Sequence, residues 1–266
     1  MAAALLTAFA AFPVRAFPAP EAHAGFLKDN AETACRSLGD HGYSYCGRHW
    51  QLSKLPVKFR LNRSGTPAPL SGSDFEQVAR LAASMWDQAS PVSGTAGRGA
   101  RCGGTKIFCI EDVGTTGVID SNDGVNTIVW AAMGTAMPPA TAWATVPTGS
   151  RITDVDIRLN SSHTWFWSDE NLVTGLAAGA VAYFCVVCPR RFDVQAILTH
   201  ELGHGIGLGH PNPGSPSTWP SDPADALDYN LVMYERYYPN NATQRVLHWG
   251  DIAGLHVVMQ DSANDR

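Results

Sequence analysis

The run His200-Glu201-Leu202-Gly203-His204-Gly205-Ile206-Gly207-Leu208-Gly209-His210 gathers three imidazoles and one carboxylate in a short stretch of chain. On an α-helix, His200 and His204 leave the same face about one turn apart, so both can bind one ion. A continued helix would carry His210 roughly 9 Å further along the axis and about 240° around it, out of reach. The helix must therefore end between them. Gly207 is where the chain can reverse, because glycine takes φ > 0 without a Cβ penalty. Three neutral imidazoles leave a cation its full charge and an open fourth position, the arrangement of catalytic rather than structural zinc. Water in that position has its pKa lowered to roughly 7, and the same ion polarises a carbonyl. Glu201 is rotated about 100° from His200 on the helix, which places it to take the water's proton rather than to ligate. It is assigned as general base. The pattern HExxHxxGxxH fixes five positions, and its chance occurrence in a chain of this length is roughly one in 10⁵ from average composition.

These side chains need a scaffold, and the flanking sequence supplies an α+β one. Asp193 is a suitable N-cap for the active-site helix, with Val194, Ile197 and Leu198 facing the core. Val57, Phe59 and Leu61 alternate with Lys58 and Arg60, as Val155, Ile157 and Leu159 do with Asp154, Asp156 and Arg158, so both stretches read as strands. Ser73 and Glu76 have capping-box spacing, and Phe75, Val78, Ala82 and Met85 then recur at helical intervals, which predicts a helix to about Gln88. Residues 89–105, rich in Gly and Ser, read as loop, and so do the closely spaced prolines from Pro211 to Pro223.

At the histidine run the chain resembles the metzincin clan of zinc endopeptidases. Met233, in Asn230-Leu231-Val232-Met233-Tyr234, lies where that clan has its Met-turn, whose methionine packs beneath the metal. Leu247-His248-Trp249-Gly250-Asp251-Ile252-Ala253-Gly254-Leu255 is similar to the start of the closing helix of matrixins, and Leu55-Pro56-Val57-Lys58-Phe59-Arg60 to their first strand. Asp123–Trp130 and Asp154–Asn160 are similar to segments of bacterial matrixin-like proteases. The resemblance spans roughly residues 50–260 and implies a zincin-like domain: a twisted mixed β-sheet, an active-site helix, a Met-turn and a C-terminal helix. It also implies that Asp154–Asn160 is an edge strand pairing with extended substrate. Pro211 follows the third histidine as in serralysins, where matrixins usually have Ser, yet the glycine-aspartate calcium repeats of serralysins are missing. Arg101-Cys102-Gly103 falls inside the catalytic region, so Cys102 reads as a disulfide partner and not as a matrixin cysteine switch. The histidine and aspartate set for a second, structural zinc is not found. Tyr234, Tyr237 and Tyr238 either line the pocket beyond the scissile bond or pack structurally.

Composition fits a secreted globular enzyme. A hydrophobic content of 45% in 266 residues suffices for one sizeable core, and a formal charge of −5 offers no basic surface for nucleic acid. Residues 1–24 have the apolar run and the Ala22-His23-Ala24 cleavage pattern of a signal peptide, with Val14-Arg15-Ala16 an alternative site. Residues 25–50 then form an N-terminal extension, and 51–266 the catalytic domain. Six cysteines agree with an oxidising compartment. Pairing by proximity joins Cys35 to Cys46, Cys102 to Cys109 and Cys185 to Cys188, one of fifteen connectivities. The apolar run Leu172–Val187 is shorter than the ~20 residues that cross a bilayer. Asp120, Asn122, Asp123 and Asn126 are oxygen donors for calcium, but their spacing is not that of an EF-hand, and a polar turn explains them equally. Asn62, Asn160 and Asn241 begin glycosylation sequons.

The expectation is a secreted, monomeric zinc endopeptidase acting on protein or peptide substrates. Two alternatives are a non-catalytic binding module that keeps zinc for stability, and a zinc hydrolase of non-peptide amide links.

Overall fold

The computed structural model describes residues 36–37, 42–91, 107–114, 123–146, 150–167, 191–211, 231–234 and 242–265. The signal-peptide stretch, the apolar run 172–187, the proline-rich loop beyond Pro211, Tyr237 and Tyr238, and Cys35, Cys102, Cys185 and Cys188 lie outside these residues. The described residues form a mixed α+β structure. Its elements are β1 (Arg36–Ser37), β2 (Ser44–Tyr45), β3 (Val57–Asn62), α1 (Gly72–Ala89), β4 (Phe108–Gly114), β5 (Thr127–Ala131), β6 (Ala140–Thr145), β7 (Asp154–Asn160), β8 (Trp165–Phe166), β9 (Phe192–Asp193), α2 (Val194–Ile206), β10 (Leu208–Gly209) and α3 (Trp249–Asn264).

Five strands make a twisted mixed sheet in the order β4-β3-β5-β7-β6, parallel except for β6, which runs antiparallel to β7. In β3 the apolar residues are buried and Lys58 and Arg60 exposed, the alternation of a strand with one wet face. The other strand read from the sequence, β7, departs from that pattern. It lies between β5 and β6 and not at an edge, so Asp154 and Asp156 are buried along with Val155 and Ile157. The edge belongs to β6. Buried polar groups on β7 and beside it make cross-strand bonds: Asp156 Oδ1 accepts from the Thr127 amide (2.9 Å), while Asn126 accepts from Val155 N–H (2.8 Å) and donates to the Lys58 carbonyl (3.0 Å). Asn126 is thereby a strand tie. Asn160 is likewise consumed, donating to the Gly134 and Pro138 carbonyls and accepting from Met133 and Ser162 amides. Being fully buried, it offers no amide for a glycan.

The cap of helix α1 lies two residues earlier than expected. Ser71, not Ser73, caps it, accepting from Asp74 N–H (3.1 Å) while Asp74 accepts from Ser71 N–H (2.8 Å). Glu76 is instead drawn to Arg80 and Arg63. The buried face of α1 is Phe75, Val78, Ala79, Ala82, Ala83 and Trp86, with Met85 only half-buried. That face and the inner face of the sheet enclose α2, and one apolar core joins them to α3. Cys46 and Cys109 are both disulfide-bonded. No helix among the described residues is long and apolar enough to cross a membrane.

Candidate metal centre

The helix carrying the first two histidines is fixed at both ends. At its start Asp193 accepts from Ala196 N–H (2.8 Å) and, on its other side, binds the Arg245 guanidinium in a buried bidentate pair. One carboxylate thus caps α2 and ties it to the short 3₁₀ turn Thr243–Arg245. At the far end α2 stops at Ile206, and Gly207 takes the left-handed conformation with φ 109°. A side chain at Gly207 would also collide with the Arg48 carbonyl oxygen, so two independent constraints select glycine there. In its middle, the space that a Gly203 side chain would need is filled by Met233 Sδ, with Trp86 alongside. Met233 is buried and lies directly under the helix turn between the two histidines.

The reversal at Gly207 returns His210 to its partners. The three Nε2 atoms form a near-equilateral triangle, with His200–His204 at 2.9 Å, His204–His210 at 3.0 Å and His200–His210 at 3.1 Å. The His200–His204 separation is not a hydrogen bond between rings. His200 Nδ1 lies 2.6 Å from the Val232 carbonyl and His204 Nδ1 lies 2.8 Å from the Leu208 carbonyl. A carbonyl accepts only, so each Nδ1 must carry the proton, leaving a bare lone pair on each Nε2. Lone pairs facing one another at this distance repel unless a cation sits among them. The arrangement suits a metal ion, and His200, His204 and His210 are the group among the described residues that could hold one.

Electrostatics agrees. Burial holds all three imidazoles neutral: His200 is pushed well below the ordinary histidine range, first by burial and then by His204 and His210. His204 is lowered to about 4, by burial and then by His210, and His210 to about 4 by burial. Neutral nitrogen is the form that ligates. Glu201, next to His200 on the same helix, is buried and is not a member of the ligand group.

Two supports of this centre were not legible in the motif. Asp251 of α3 is fully buried and accepts from Val232 N–H (3.0 Å) and Met233 N–H (3.0 Å), as well as from His248 N–H (2.9 Å). Burial raises its carboxyl to about 6, against the pull of these three amides. Through Val232 it orients the carbonyl that holds His200. The other support is the segment before β3. Strand β2 pairs antiparallel with β10, Tyr45 opposite Leu208 and Ser44 opposite Gly209, while Trp50 Nε1 donates to the Gly205 carbonyl (2.8 Å). Residues 42–50, assigned from sequence to an N-terminal extension, are therefore woven into the turn that delivers His210. Tyr234 is buried against Leu231, which favours packing as its role. Comparison with known proteins gives no match: no family model fits the chain, and no curated protein is significantly similar to it.

Proposed function

We propose that the protein is a secreted zinc endopeptidase of metzincin type, matrixin-like in its sheet and closing helix. The observation that carries this reading is the triangle of three converging Nε2 atoms. Tetrahedral zinc–nitrogen bonds of about 2.0–2.1 Å set neighbouring nitrogens roughly 3.3 Å apart. The observed separations are a few tenths of an ångström shorter, and the donor set is all imidazole, which suits zinc better than calcium or magnesium.

Zinc held there would supply Lewis acidity toward a carbonyl oxygen and toward water. The chain's own residues supply the rest. His200, His204 and His210 hold the ion, with the Val232 and Leu208 carbonyls fixing two of the rings. Glu201 accepts the proton of the attacking water and passes it to the departing amine. Strand β6, the sheet edge packed on α2, offers backbone groups to hold a peptide extended by strand addition. Disulfide-bonded Cys46 and Cys109 support an oxidising, extracellular location.

Glu201→Ala should bind one zinc per chain yet lose hydrolysis of an unfolded protein substrate by roughly 10²–10⁴-fold or more. Cleavage measured with and without a chelator, beside the zinc content, checks this. Activity that survives the substitution removes Glu201 from the mechanism. Zinc without any peptidase activity points to a binding module or to a non-peptide amide substrate.

A further inference from the structure

We propose that Arg158, with Trp143 and Thr141, forms a subsite on the outer face of β6 that selects an acidic side chain of the bound peptide. The inference rests on the endopeptidase reading and adds to it a substrate preference.

It starts from an arginine whose Nε has no hydrogen-bond partner. Arg158 stands on β7, directly opposite Thr141 of the neighbouring edge strand β6. Its guanidinium lies over the indole of Trp143, two residues along β6, 4.7 Å from the ring centroid. Its Nε is buried and has no hydrogen-bond partner, and the same holds for the Thr141 hydroxyl. A buried guanidinium N–H is costly to leave unpaired, and buried arginine is ordinarily matched by a carboxylate. The nearest acid along the strand on that face does not serve. Asp156 turns toward β5, where its Oδ1 accepts the Thr127 amide. Trp143, meanwhile, is 40% exposed, one of the few large apolar side chains left in water among the described residues.

The position makes this unmatched pair useful. Among the described residues β6 has β7 on one side and no strand on the other. A peptide added to that free side would send alternate side chains to the outer face, level with Thr141 and Trp143. There a carboxylate can accept from the guanidinium, whose orientation the indole already fixes, so little further ordering is needed on binding. The intervening peptide side chains point the other way, toward Ala142 and Ala144, which pack on the core side of β6. The preference must therefore follow a two-residue period.

Zinc-loaded enzyme is assayed on one cleavable peptide in which Glu or Gln replaces each residue near the scissile bond in turn. The wild type should favour Glu over Gln in kcat/KM by roughly ten-fold, the scale of one charge-assisted hydrogen bond, at one position or at positions two apart, and not at their immediate neighbours. Arg158→Gln should bring that ratio to about one, and Arg158→Lys, which keeps charge but not the planar stack, should leave it in between. Equal cleavage of Glu and Gln peptides at every position overturns the proposal, as does a preference that survives Arg158→Gln. Should that variant fail to fold by thermal melting, Arg158→Lys and Trp143→Ala decide: an unchanged ratio in both overturns it. A wild type that cleaves none of the peptides but still binds zinc defeats the endopeptidase reading itself, a result distinct from indifference to charge.

Discussion

The two halves of the histidine run are held by different means. His200 and His204 sit on α2, where four-residue spacing alone puts their rings together, whereas His210 reaches the same point only because Gly207 reverses the chain and β2 pairs with β10 behind it. The helical pair is specified locally. The third ligand depends on residues about 160 positions earlier, since Arg48, Trp50, Ser44 and Tyr45 all press on the segment Gly205–Gly209. Two ligands should therefore tolerate distant changes that the third does not, and each experiment below tries that difference.

Acidification, which strikes all three ligands, should have the largest effect. The folded imidazoles titrate below the unfolded value of about 6.5, with His204 and His210 near 4 and His200 well below its ordinary range. The unfolded chain therefore binds more protons, so the metal-free protein keeps its full stability above about pH 6.5 and loses it as pH falls toward 4. His204 and His210 each contribute up to about 3 kcal/mol. Asp251 works in the opposite sense: its carboxyl is raised to about 6, so ionising it opposes folding above that pH and its protonation relieves the strain below it. Asp154 and Asp193, also raised by burial, act in the same sense as Asp251, and the three imidazoles, all lowered, set the expected net slope as a loss on acidification. Denaturant unfolding of metal-free protein from pH 7 to pH 4 measures it. A flat profile would mean the rings are not buried neutral.

Gly207→Ala attacks the turn alone. A left-handed φ at a residue with a Cβ costs about 1–2 kcal/mol, and the new methyl meets the Arg48 carbonyl as well. Zinc affinity should drop by roughly 100-fold, at the upper end of what displaced supporting groups cost. Competition against a chromophoric chelator gives the affinity, and far-ultraviolet circular dichroism shows whether α2 persists. An unchanged affinity would mean that His210 does not need this turn.

How much of this could be read from residues alone follows the same division. The helix limits at Asp193 and Gly207 and the strand at Val57–Asn62 are short-range consequences of capping, alternation and glycine chemistry, and the sequence shows them, whereas the closing helix is expected from the resemblance to matrixins alone. Strand order is not a local property, which is why β7 was expected at an edge and lies inside the sheet with buried aspartates. The cap of α1 moved from Ser73 to Ser71 because an aspartate at Asp74 completes the same reciprocal bonds that Glu76 was expected to make. Asp251 looks in sequence like any first-turn acid of a helix. Only the fold brings Val232 and Met233 within its reach. Likewise Gly203 is just a glycine in the motif until Met233 is found filling its missing side chain.

The smallest expected effect is the sharpest comparison, because two tryptophans make the same bond to opposite parts of one helix. Trp86 Nε1 donates to the Thr199 carbonyl at 2.9 Å and Trp50 Nε1 to the Gly205 carbonyl at 2.8 Å, and both indoles are buried. Replacing either by Phe deletes a buried hydrogen bond and strands a carbonyl, at about 1–3 kcal/mol of stability in each case. The consequences for the metal should differ. Thr199 precedes His200 inside a helix whose ladder already sets both rings, so Trp86→Phe should leave zinc affinity within roughly two-fold. Gly205 lies at the edge of the reversal, where nothing local fixes the path to His210, so Trp50→Phe should weaken zinc by roughly three- to ten-fold at equal loss of stability. Equal changes in affinity for the two variants would mean that the turn is as self-sufficient as the helix. The role given to residues 42–50 would then fall, while the two-ligand helix would stand.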